Sequence, residues 1–149
     1  MTSPTSPDIE AIATDLLTAC GQLVRRLRAE SNRLELTWSQ SVILARLDAM
    51  GPTSTADLAR AEAVKPQSMG ASLAVLEGEG LVERSPHPSD GRQFLFSLTD
   101  AGRGVRERTR RIKLAWLSEA LGSLDEAERD ELARAASVIA RLADTPAEG

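Results

Sequence analysis

The chain has 149 residues, a formal net charge of −4, 3% aromatic residues and no tyrosine, so its core must be assembled from Leu, Ile, Val and Ala, which favours helices over a β-sandwich. Cys20 and His87 are the sole representatives of their types and stand far apart, which excludes an intrachain disulfide, a zinc ligand set and a Cys–His nucleophile pair. No apolar run approaches the ~20 residues of a membrane span, no phosphate-binding glycine motif stands at a strand–helix junction, and a lone thiol without a signal-peptide pattern leads us to expect a cytoplasmic protein with neither metal nor cofactor.

Met1 to Pro7 is rich in Ser, Thr and Pro and is expected to fray. From Asp8 a helical period opens: Ile9, Ile12, Leu16, Cys20, Leu23, Val24 and Leu27 recur at three- and four-residue steps, which predicts a long first helix to about Leu34. Thr37-Trp38-Ser39-Gln40 has the form of a capping box and starts a second helix, Trp38 to about Ala49, with Leu44 and Leu47 inward. Gly51-Pro52 ends it. Ser54 or Thr55 caps a short third helix, Ala56 to Ala61. Pro66 stands at the first position of a fourth helix, Pro66 to Glu79, where a missing N–H costs nothing. Met69, Leu73 and Leu76 form its inward stripe, and Gly80 its C-terminal stop.

Leu81 to Ser85 reads as a strand, Pro86-His87-Pro88-Ser89-Asp90-Gly91 as turn chemistry, and Gln93 to Leu98 as the return strand with Phe94, Phe96 and Leu98 on one face. Thr99 caps a fifth helix to about Leu121. Ser123-Leu124-Asp125-Glu126 reads as a second capping box, opening a sixth helix with Leu132, Ala135, Ala136, Ile139 and Leu142 inward; the residues from Thr145 onward are expected to be loose. The fold class expected is mainly α with a small β-hairpin: one domain over 1–149, a winged helix-turn-helix over 38–99, and long dimerisation helices over 8–34 and 100–143.

Two short helices, a tight turn and a hairpin make a winged helix-turn-helix, whose second helix suits the width of the DNA major groove. The negative total charge argues against nucleic acid, but its distribution weakens that objection. From Glu119 onward there are eight acidic and three basic residues, and the preceding 118 carry a net +1. DNA binding needs only a local basic face. The outer positions of the fourth helix (Lys65, Gln67, Ser68, Ala71, Ser72) are small or hydrogen-bonding and include no acid. At the hairpin tip Asp90 is placed to hold the Arg92 guanidinium, and an arginine so presented suits the negative potential of a minor groove. Arg103, Arg106, Arg110 and Lys113 could line a second basic face on the fifth helix.

Leu76-Glu77-Gly78-Glu79-Gly80-Leu81-Val82-Glu83-Arg84, Pro86-His87-Pro88-Ser89-Asp90-Gly91-Arg92 and Leu98-Thr99-Asp100-Ala101-Gly102 together resemble the MarR family (multiple antibiotic resistance regulators), and Leu36 to Gln40 is similar to that family's entry to its second helix. The resemblance spans about Asp8 to Leu142. It implies a homodimeric transcriptional repressor, interlocked through its first, fifth and sixth helices, that binds a palindromic double-stranded operator and lets go when a small phenolic or anionic effector binds. It places DNA contacts on Lys65, Gln67, Ser68 and Ser72, on Arg84 at the wing base, and on Ser89, Asp90 and Arg92 in the wing. It assigns no effector residues, though Trp38 and Trp116 could line a pocket.

Peroxide-sensing relatives carry a reactive cysteine in the first helix. Cys20 lies on the apolar stripe here and no tyrosine exists to activate it, so a small packed hydrophobe is the expectation and a cysteine-based redox sensor the alternative. A second alternative is a winged-helix protein-interaction module without DNA binding. An enzyme has no support in any nucleophile–base pair, metal cluster or phosphate loop.

Overall fold

The computed structural model describes residues 8–31 and 36–146. The expected end of the first helix at Leu34, the Ser/Thr/Pro-rich start and the final three residues lie outside the described residues. The elements in chain order are α1 (Ile9–Ser31), α2 (Trp38–Met50), β1 (Thr53–Ser54), α3 (Thr55–Ala61), α4 (Pro66–Gly78), β2 (Val82–Pro86), β3 (Phe94–Leu98), α5 (Asp100–Gly122) and α6 (Glu126–Ala143). The chain divides after Lys113 into two compact units, and each is described by itself.

In the first unit local chemistry fixes each boundary. Gln40 N–H donates to Thr37 Oγ1 at 3.2 Å while Thr37 N–H donates to Gln40 Oε1 at 2.9 Å, completing the reciprocal box that starts α2. Gly51, at φ 74°, ends α2 with its N–H on Leu47 O at 2.9 Å. Ser54 is the cap of α3, its Oγ accepting from Asp57 N–H at 3.2 Å. The turn into α4 is tight: Val64 N–H reaches Ala59 O at 3.0 Å, and Ala63 sits in the left-handed region at φ 51°, a conformation the methyl group disfavours. Gly80, at φ 73°, turns the chain out of α4, and Leu81 N–H closes on Leu76 O at 2.9 Å.

The hairpin pairs β2 with β3 antiparallel, Val82 opposite Leu98 and Pro86 opposite Phe94. A third strand was not expected. Thr53 and Ser54 pair with Phe96 and Leu95, which gives the sheet order β1-β3-β2. Leu44, Leu58, Leu73 and Leu76 are fully enclosed, with Ile43, Leu47, Ala59, Met69, Leu81, Val82, Phe96 and Leu98 around them. Full burial of such a side chain contributes about 1.5–3 kcal/mol, so this cluster fixes α2, α3, α4 and the sheet as one body. Of the alternate residues Phe94, Phe96 and Leu98, the last two are buried and Phe94 is 46% exposed.

The entry to α5 locks the sheet to that helix. Thr99 Oγ1 donates to Gly80 O at 2.6 Å and accepts from Gly102 N–H at 3.0 Å. A Cβ on Gly102 would run into Leu81 O and lie 3.0 Å from the carbonyl carbon behind it, so the close approach of α5 to Leu81 requires glycine. Along α1, Ile9, Ile12, Leu23 and Val24 are all exposed, and Cys20 is half-buried.

The second unit holds the last turns of α5 and α6. Its capping box is Asp125 with Glu128: Glu128 N–H donates to Asp125 Oδ1 at 2.8 Å and Asp125 N–H to Glu128 Oε2 at 3.0 Å. The expected box at Ser123 is therefore displaced by two residues. Ser123 instead closes the end of α5, its hydroxyl donating to Ala120 O at 2.6 Å. Leu132, Ile139 and Leu142, expected inward, are 40–57% exposed, and α6 has no buried residue. No helix among the described residues is long and apolar enough to cross a membrane.

Candidate nucleic-acid interface

The N-terminal half of α4 presents Lys65, Gln67 and Ser68 to solvent, with no acidic residue in its first turn. Lys65 is the N-cap position but makes no side-chain cap bond, which leaves first-turn amides open to an outside acceptor. Ser72 is half-buried. With Ser68, Trp38, Val42, Glu62 and Met69 it lines a cavity of about 200 Å³ between α2 and α4.

The wing loop is braced from within. His87 N–H donates to Gln93 O and Gln93 N–H to Asp90 O, both at 3.1 Å. His87 Nδ1 accepts from Ser89 N–H at 3.2 Å and Asp90 N–H at 3.1 Å, a role that requires the unprotonated nitrogen. Asp90 Oδ1 accepts from the Arg92 backbone N–H at 3.0 Å and Oδ2 from Gln93 Nε2 at 3.1 Å. The expected grip of Asp90 on the Arg92 guanidinium is thus corrected: both carboxylate oxygens are committed to the turn, Oδ1 accepting from the N–H two residues on as an aspartate in a turn commonly does. The Arg92 side chain stands exposed at the tip.

Arg84 is not free at the wing base. Its Nε and Nη2 clasp both oxygens of Glu77, with Nη2 to Oε2 at 2.6 Å, and its guanidinium lies 5.3 Å from the ring centre of Phe94 and 5.6 Å from that of Phe96. The Arg84 hydrogen bonds hold the Glu77 carboxyl below its usual range, and Glu77 raises Arg84 in turn. The sequence alone gave Glu77 no role and did not reveal this pair; opposite charges flanking the Gly80-Leu81 turn were the available signal. It also gave His87 no role.

Arg84 and Arg92 border one groove of about 440 Å³, whose other walls are Ser54 and Thr55 at the start of α3, Pro66 and Gly70 on α4, and Phe94. The structure therefore brings the α4 N-terminal half and the wing arginine to one face. Of the α5 cations, Arg103 bonds Leu98 O and Asp100, Arg106 faces Asp48 at 3.8 Å, Lys113 lies 4.7 Å over the Trp38 ring, and Arg110 is exposed. Burial, with the Arg106 charge, lowers the Lys113 pKa. No group of three or more His, Cys, Asp or Glu among the described residues could hold a metal ion.

Residues 36–94 match the MarR family. The HTH-type transcriptional regulator Mb0904 of Mycobacterium bovis is 38% identical over 133 residues, which is 89% of this chain and 93% of that one. The chain belongs to the MarR family. The HTH-type transcriptional repressor Rv2887 of Mycobacterium tuberculosis is 32% identical over 120 residues, covering 80% of this chain and 86% of its own. A mutant of E. coli MarR, solved in complex with operator DNA, superposes with a TM-score of 0.71 at 21% identity, over 94% of this chain and 99% of that one. Membership makes this chain a helix-turn-helix transcriptional regulator rather than an enzyme.

Proposed function

We propose that this MarR-family regulator is a homodimeric repressor. It binds palindromic double-stranded DNA through residues 38–99 and dissociates when a small phenolic or anionic molecule binds. The observation that carries the reading is the exposed Arg92 guanidinium, held out on an internally braced wing beside the acid-free half of α4. On this reading α4 enters the major groove with Lys65, Gln67, Ser68 and Ser72, and the wing enters the adjacent minor groove with Arg92. Ser89 and Asp90 shape the wing tip, and Arg84 supports its base. The solved operator complex of a protein of the same fold supports this mode, and the relative named a repressor supports the sign of regulation.

The exposed apolar residues of α1 and α6 support dimerisation through 8–34 and 100–143. Ile9, Ile12, Leu132 and Leu142 are 47–83% exposed in the single chain, an arrangement that a second copy would cover. A seat for the effector is offered by a cavity of about 330 Å³ bordered by Trp38, Lys113 and the Arg46–Glu62 ion pair: an aromatic wall with the Lys113 cation beside it. Selection of duplexes from a randomised library by the purified protein tests the reading. Enriched inverted repeats with half-sites ~10 bp apart, one helical turn, are expected; no enrichment over a tag-only control would refute DNA binding.

A further inference from the structure

The Glu77–Arg84 pair has geometry that a phosphate contact would not need. Glu77 belongs to the last turn of α4 and Arg84 to β2, and the chain between them turns at Gly80, at φ 73°. The carboxylate takes two guanidinium nitrogens at 2.6–3.1 Å, a forked arrangement that fixes orientation as well as distance. The rings of Phe94 and Phe96 on β3 flank the same guanidinium. One side chain therefore ties α4, β2 and β3 together. Arg92 lies on the loop between β2 and β3, so this tie, added to the core contacts between α4 and the sheet, bears on where Arg92 stands relative to α4.

We propose that Glu77 and Arg84 are positioning residues that fix the wing against the recognition helix, so that α4 and Arg92 engage adjacent grooves together. The inference rests on the DNA-binding reading. Its distinguishing consequence is a sign. Glu77→Gln removes a negative charge from the protein, and electrostatics alone would tighten binding to a polyanion. If the pair positions the wing, the same change weakens binding, because a neutral amide holds the guanidinium less firmly.

The test uses full-length protein and the duplex it selects from a randomised library, with affinity read by fluorescence anisotropy. Glu77→Gln and Arg84→Lys should each weaken binding roughly fivefold or more, the scale of coupling between residues of one network, with helicity and dimer mass unchanged. In an Arg92→Ala background both losses should shrink to within about twofold, since a wing without its guanidinium has nothing left to aim. Tighter binding by Glu77→Gln, or full additivity of either change with Arg92→Ala, would overturn the proposal and leave Arg84 a simple charge. Amide exchange supplies an arm independent of DNA. The Ser85 and Leu95 amides, paired across the hairpin, should exchange faster in Glu77→Gln while those of α2 do not. A wild-type protein that selects no duplex refutes the DNA reading; unchanged hairpin exchange in Glu77→Gln overturns the tie itself.

Discussion

Replacing Arg92 by alanine separates folding from recognition. The contact that holds this residue in the turn is its backbone N–H on Asp90 Oδ1 at 3.0 Å, which alanine keeps, and the exposed guanidinium supports nothing in the free protein. Thermal stability should therefore stay within about 0.5 kcal/mol, the ordinary range for an exposed substitution. Affinity should fall by the full value of the lost contact, ~1–3 kcal/mol per wing. A dimer loses two, so ~2–6 kcal/mol if they add, a loss of roughly 30-fold to beyond 10⁴-fold in Kd. The slope of log K against log salt should flatten by about 2, since two fewer phosphate-neutralising charges release counterions. Arg92→Lys should recover part of the loss and most of the slope, because charge returns without the planar fork. Anisotropy titrations on one operator duplex at several salt concentrations measure all of this. A folded Arg92→Ala dimer with wild-type affinity and slope would refute the reasoning.

Gly102→Ala should lower Tm by several degrees: the new Cβ meets Leu81 O, a backbone atom that cannot rotate away, and overpacking of this kind costs about 1–3 kcal/mol. A Tm unchanged by calorimetry would contradict the close approach. His87→Asn should keep the wing loop ordered, because an amide oxygen can stand where Nδ1 accepts from Ser89 and Asp90 N–H, whereas His87→Ala should speed exchange of those two amides; equal exchange in the two variants would dismiss the ring as the brace. The Glu77 carboxyl is held below its ordinary value of 4.5, so its tie to Arg84 contributes stability that is complete above that value and lost as pH falls through the lower, folded-state one. Exchange of the Ser85 and Leu95 amides, corrected for intrinsic rates, should hence speed up as pH falls below about 4.5; no acceleration there would show that the tie does not hold the hairpin.

The legible features were those set by neighbours in sequence. The Thr37–Gln40 box, Pro66 at the start of α4, the Gly80 stop and the buried Met69, Leu73 and Leu76 all follow from capping, backbone freedom and the helical period. The two residues of β1 were not legible, since so short a strand has no alternation and exists through its pairing with Phe96 and Leu95. The second box slipped from Ser123 to Asp125 because both positions precede an acidic residue at the right distance; the carboxylate of Asp125, near the helix N-terminus, won. At the interface, residue types at the wing tip announced a charged turn, but which atoms bond was decided in three dimensions. The Asp90 carboxylate takes the Arg92 N–H rather than its guanidinium, and β2 carries Arg84 back to Glu77, seven residues earlier.

If two winged helices read one palindrome, hydroxyl-radical footprinting of the purified protein on its selected duplex shows it most directly. Two protected segments related by a two-fold axis and centred ~10 bp apart, each flanked by minor-groove protection that disappears with Arg92→Ala, are predicted. A single isolated protected segment, or flanking protection that survives loss of the arginine, would contradict the account.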